Sequence, residues 1–136
     1  MRDELTIRTD LFEHKELKPD FINPCCFGED FAQWLIEKVV VLRDSGFELS
    51  DPIQEDYGWG IWIKNENNSF WLALSYVGEG PTNEPAEWVI SLDYDPGLNL
   101  IRRLFSKPNL VAFDEVRNLI WNTIRSTPGI NVTKLL

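Results

Sequence analysis

Trp59-Gly60-Ile61-Trp62-Ile63-Lys64, Phe70-Trp71-Leu72-Ala73-Leu74-Ser75-Tyr76-Val77 and Glu87-Trp88-Val89-Ile90-Ser91-Leu92-Asp93-Tyr94 decide the fold. All three runs are dense in aromatic and branched residues, which suit a pleated, half-buried surface. Asn65 to Ser69 is turn chemistry, so the first two runs form a hairpin. With Asn67-Asn68 as a two-residue turn, Ile63 pairs with Leu72, Ile61 with Leu74 and Trp59 with Tyr76, all on one face. Trp88, Ile90, Leu92 and Tyr94 continue that face, which is expected to be the core and to pack on a helix.

Working outward, Glu29 to Ser45 places Phe31, Leu35, Val39 and Leu42 on one helical stripe, with acids in the first turn and Gly46 as stop. Trp34, Ile36, Val40 and Val41 widen its apolar face, predicting a helix buried on more than one side. Phe47 to Ile53 enters the sheet in extended form, with Pro52 marking an edge. On the far side, Asp95-Pro96-Gly97 breaks the sheet, and Leu98 to Phe105 has the spacing of a short helix. Val111 to Ser126 aligns Phe113, Val116, Ile120 and Ile124 as a second long helix, stopped by Pro128-Gly129. Leu5, Ile7 and Arg8 hint at a short strand near the N-terminus, and Ile130 to Leu136 is either an edge strand or a loosely docked tail. The expected architecture is α+β, an antiparallel sheet of three to five strands packed against two long helices, in a single domain spanning 1-136.

Charge bounds the function. The chain has 22 acidic and 13 basic residues, a net charge of -9, which argues against nucleic acid as a partner because phosphate neutralisation supplies much of that affinity. It holds no run of about 18 apolar residues, and Met1-Arg2-Asp3-Glu4 lacks the basic-then-apolar pattern of a secretory signal. The expectation is therefore a cytoplasmic protein with no membrane partner. Cys25 and Cys26 are adjacent and cannot frame a disulfide-stapled fold. They read as partly buried thiols in a turn; a vicinal disulfide, half a metal site or a dyad with His14 are the sharper alternatives.

The charges are also segregated. Residues 44 to 95 hold eleven acids and one base, Lys64, whereas residues 96 to 136 hold two acids and six bases, among them Arg102, Arg103, Lys107, Arg117 and Arg125. An acidic surface of this kind steers a basic partner and penalises wrong ones. Glu55, Asp56, Glu66, Glu84 and Glu87 are the candidate partner-binding residues. The plainer expectation is that the two regions balance each other within the molecule.

A second surface is the opposite side of the meander, where Gly58, Gly60 and Trp62 alternate out of the core beside Trp71, Ala73 and Ser75, then Val89 and Ser91. Coverage by the N-terminal segment or the second helix is the favoured expectation for it. The alternatives are a homodimer interface or a small-ligand pocket, or modest enzyme site, with Trp62 and Trp71 as its aromatic walls and Ser75 and Ser91 beside them.

Catalytic signals are weak. Glu55-Asp56 and Asp93 with Asp95 are carboxylates near sheet ends that could converge on a cation or serve as an acid/base pair, but no nucleophile elbow or phosphate loop accompanies them. No catalytic residue, metal ligand or cofactor is assigned. Gly78 to Pro85 is expected to be a flexible connection. In type, the profile is similar to that of small acidic inhibitors and immunity proteins. The leading expectation is thus a non-enzymatic protein-binding module docking a basic partner.

Overall fold

The computed structural model describes residues 1–95 and 109–135. Strand β1 is Arg2–Thr9, helix α1 Glu29–Lys38, followed by a 3-10 turn over Val40–Arg43. Strands β2 (Glu48–Leu49), β3 (Ile53–Glu55), β4 (Gly58–Lys64), β5 (Ser69–Val77) and β6 (Ala86–Tyr94) follow, then helix α2 (Leu110–Arg125) and strand β7 (Ile130–Leu135). The strands form one antiparallel sheet in the order β2-β4-β5-β6-β1-β7, with β3 beside β2 along β4.

The fold is α+β as expected, but the sheet has seven strands instead of three to five. The N-terminal strand is an interior one, between β6 and β7. Its signal is muted because Arg2, Glu4 and Arg8 alternate with the buried Leu5, Ile7 and Thr9, so its apolar content is only that of one face. Pro52 splits the far edge into two very short strands, and the tail is a strand paired with β1. Both edges are blunted against further pairing: one by brevity and Pro52, the other by Lys134 and an extra residue at Thr133, where the register with β1 shifts.

The β4–β5 hairpin differs in register from the two-residue turn. Lys64 pairs with Ser69, so Ile63 meets Phe70, Ile61 meets Leu72 and Trp59 meets Leu74. The cause is Asn65, whose side-chain oxygen accepts from the backbone N–H groups of Asn67 and Asn68, building a four-residue loop. Because the slip is two residues, every side chain stays on its expected face.

That face is the core. Ile61, Ile63, Leu72, Leu74, Trp88, Ile90 and Leu92 are fully or nearly fully buried there, together with Leu5 and Ile7. Each such side chain contributes about 1.5–3 kcal/mol relative to an exposed position. Both described helices lie on this side: Phe31 of α1 meets Trp88 edge-on at 5.4 Å, and Phe113 of α2 meets Phe70 at 5.9 Å. The chain between β1 and α1 packs there too, with Phe12 stacked on Phe31 at 4.1 Å and Phe21 against Trp59.

The stripe Phe31, Leu35, Val39 and Leu42 is buried, but α1 ends at Lys38 and tightens into the 3-10 turn. Consequently Val40 and Val41 point to solvent, 46% and 49% exposed, and do not widen the buried face. The run of three valines, poor helix formers, marks the stop. Helix α2 has its predicted stripe buried and is capped by the Asn109 side chain accepting from the Ala112 N–H. The expected short helix over Leu98 to Phe105 lies outside the described residues.

Candidate functional site

The opposite face of the sheet was expected to be covered by the N-terminal segment or the second helix. Neither covers it: the first is β1 within the sheet, and α2 packs on the core side. Alternation along the strands directs Gly58, Gly60, Trp62 and Lys64 of β4 to this outer face, with Trp71, Ala73 and Ser75 of β5 and Val89, Ser91 and Asp93 of β6. Antiparallel pairing then sets Trp62 directly opposite Trp71, Gly60 opposite Ala73 and Ala73 opposite Ser91.

The two tryptophans form one unit. Their ring centroids are 4.7 Å apart at 53°. The Trp71 ring occupies the space above Gly60, where an added Cβ would collide with it, and the Trp71 indole N–H donates to the Tyr57 hydroxyl at 2.7 Å. Lys64 places its ammonium 4.6 Å from the centroid of Trp62. Tyr57 is 41% exposed, yet burial pushes its phenol above the ordinary value; the Trp71 hydrogen bond acts against that shift, and neighbouring Glu55 and Asp93 add to it. The rings therefore lean on each other and on glycine instead of standing apart as walls. Beneath them Ala73 and Ser91 are buried, while Trp62, Trp71 and Ser75 remain partly exposed.

The five candidate carboxylates do not share one patch. Glu55 ends β3, Asp56 lies in the turn that follows, and Glu84 and Glu87 flank the start of β6, all at one end of the sheet. Glu66 is in the loop closing β4 and β5 at the other end, roughly 20 Å away along a seven-residue strand. Glu87 is paired with Arg8 at 3.5 Å and Asp93 with Arg2 at 3.3 Å, so two central carboxylates are neutralised by β1. Arg117 turns elsewhere, to Asp3 at 2.6 Å and Asp114 at 3.1 Å. Arg102, Arg103 and Lys107 lie outside the described residues. Arg2, Glu4 and Tyr57 were not singled out from sequence, and the alternation in Arg2 to Arg8 is the signal that carries the first two.

The other constellations resolve differently. Glu55 and Asp93 both lie within electrostatic reach of the Tyr57 hydroxyl, but together with Asp56 and Asp95 they form no cluster placed to hold a cation among the described residues. Among the described residues no group of three or more His, Cys, Asp or Glu is placed to hold a metal ion. Cys26 is buried and Cys25 half-buried in a turn, the Cys25 thiol on the Asn23 side-chain oxygen at 2.8 Å. His14 is buried and its ring bonds to neither cysteine, its Nδ1 lying 2.8 Å from the Thr82 carbonyl and its Nε2 3.0 Å from Asp10. This contact, the Thr82 N–H donating to the His14 carbonyl and the Tyr76 hydroxyl donating to Gly80, anchors the 78–85 loop that was expected to be free. Burial raises the pKa of that Tyr76 phenol, with Cys25 a smaller contributor.

No described helix is long and apolar enough to cross a membrane. Comparison with protein-family models, curated proteins and solved structures finds no match for this chain.

Proposed function

We propose that this protein is a binding module that docks a basic protein partner, in the manner of an acidic inhibitor or immunity-type protein, through the outer face of β3, β4, β5 and β6. The observation carrying this reading is the Tyr57, Trp71 and Trp62 cluster, held partly exposed on a face that neither described helix covers, beside Glu55 and Asp56. Aromatic anchors ringed by polar groups are what binding hot spots are made of. Carboxylates at their margin raise the encounter rate with a cationic surface and reject anionic ones. Of the five proposed acids, Glu55 and Asp56 adjoin the aromatic centre, Glu84 and Glu87 extend the same end of the sheet, and Glu66 is remote from it. Localisation in the cytoplasm belongs to the same proposal.

The experiment is recovery of a partner from the native host at low and at raised salt, with the wild type and a Glu55→Gln/Asp56→Asn variant in parallel. The expected result is a basic protein retained at low salt, released as salt rises, and retained less by the variant. Equal retention by both proteins, or retention indifferent to salt, removes the reading. Light scattering on the isolated chain separates it from a homodimer formed through the same face, which would appear as twice the chain mass.

A further inference from the structure

One cross-strand row of the outer face runs Trp62, Trp71, Asp93 and Arg2 across β4, β5, β6 and β1. A cation of the chain itself sits at each end. Arg2 is held by Asp93 at 3.3 Å and by Glu4 at 2.8 Å. Lys64 is held differently. Glu48 is directly across from it in the β2–β4 register, yet no ion pair joins them among the described residues. The ammonium instead stands over Trp62, 4.6 Å from the ring centroid. The negative face of an indole attracts a cation modestly at an exposed site, and here a second indole lies 4.7 Å from the first.

We infer that the Trp62 and Trp71 pair is the seat for an arginine or lysine side chain of the basic partner, and that Lys64 fills this seat in the free protein. The inference rests on the docking function proposed above. Lys64 is exposed, and among the described residues its ammonium is in no ion pair and meets only the Trp62 ring, so it is readily displaced. On leaving, it has Glu48 as a waiting counter-ion, with opposed Cβ atoms about 5 Å apart in such a pair. The exchange therefore trades one cation on the ring for another and ends with a new ion pair. Arginine is the better occupant, because its planar guanidinium stacks on an indole and keeps N–H donors free for a carboxylate such as Glu55.

The test uses a capped hexa-arginine peptide as probe and hexa-glutamate as control, titrated into the full chain at low ionic strength. Indole N–H resonances of Trp62 and Trp71 and the Kd are read together. Hexa-arginine is expected to move both resonances. Lys64→Ala is expected to tighten its binding about two- to five-fold, the size of one exposed cation-on-ring contact. Lys134→Ala removes the same charge from the outer face of β7 and is expected to leave Kd within a factor of about 1.5. Equal tightening by the two variants, or no tightening by Lys64→Ala, overturns the seat while leaving the docking face standing. Hexa-arginine binding no better than hexa-glutamate sinks the docking function itself. Trp62→Ala is expected to weaken binding; should it fail to fold, the wild-type resonances decide, and unmoved Trp62 and Trp71 signals count against the seat.

Discussion

The indole of Trp71 fills the space over Gly60, so closely that any side chain at position 60 would enter the ring. Glycine here is a packing requirement imposed by a neighbour across the strand, since the residue directly opposite Gly60 is Ala73 and the offending ring belongs to the residue two before it. Gly60→Ala should push Trp71 off the face, break its bond to the Tyr57 hydroxyl and loosen its contact with Trp62. A cost of about 1–3 kcal/mol is expected from overpacking. Urea unfolding measures it, and an unchanged midpoint together with unchanged Trp71 indole resonance would show that the ring does not depend on the glycine.

How much of this was legible in the sequence can be argued from particular residues. The core face was readable because Ile61, Ile63, Leu72, Leu74, Trp88, Ile90 and Leu92 carry the alternation in their own side chains. Two errors have physical causes. Asn65 takes two backbone N–H groups and lengthens the hairpin loop, which propensity for an Asn-Asn turn does not reveal. The hint of a strand at Leu5 to Arg8 was right, but its interior place was missed, because β1 alternates charge with burial and such a strand resembles a surface segment when read alone. That error propagated to the site: with β1 unplaced, Arg2 and Arg8 could not be set against Asp93 and Glu87. That Trp62 and Trp71 share the outer face was readable, but the expected register set Trp62 opposite Ala73, and the two-residue slip is what brings it opposite Trp71; Tyr57 reaches Trp71 from a turn, and no periodicity reports that.

His14 joins two segments far apart in sequence. Its ring nitrogens face the Thr82 carbonyl and the Asp10 carboxylate, and its own carbonyl accepts from the Thr82 N–H. His14→Ala leaves the Thr82 carbonyl without its buried partner, for a cost of about 1–3 kcal/mol. Amide hydrogen exchange should accelerate at Thr82 and its neighbours in the 78–85 loop, while exchange in the β4–β5 ladder changes only as far as global stability does. Unaltered exchange at Thr82 would mean that Tyr76 and Gly80 hold the loop without it.

Glu13 organises the turn that carries His14. Its carboxylate accepts from the backbone N–H groups of Lys15 and Glu16, both at 2.8 Å, and these bonds hold its pKa below the ordinary glutamate value. A lowered folded pKa contributes stability that is present above the unfolded value, about 4.3, and is lost as pH falls through the lower folded one. Glu13→Gln should therefore flatten part of the acid limb of a stability-versus-pH curve and leave the neutral region nearly unchanged. Solvent screening keeps the effect small, so the comparison is one of curve shape. An identical acid limb in the two proteins would remove Glu13 from the acid response.

The carboxylates around the docking face are not equivalent, and the difference is measurable. Glu87 and Asp93 already have Arg8 and Arg2, whereas no ion pair to Glu55 or Asp56 is present among the described residues. A partner's cation approaching Glu87 or Asp93 must compete with an arginine of the same chain, so the gain there is reduced. Glu55→Gln/Asp56→Asn should weaken a basic partner, or hexa-arginine, by more than Glu87→Gln/Asp93→Asn, although each pair removes two negative charges. Arg2→Gln/Arg8→Gln should move binding the other way, by releasing the two carboxylates and making the face more negative. Three Kd values against wild type decide the matter: equal weakening by the two acid pairs would mean that net charge alone governs docking and that the internal arginines mask nothing.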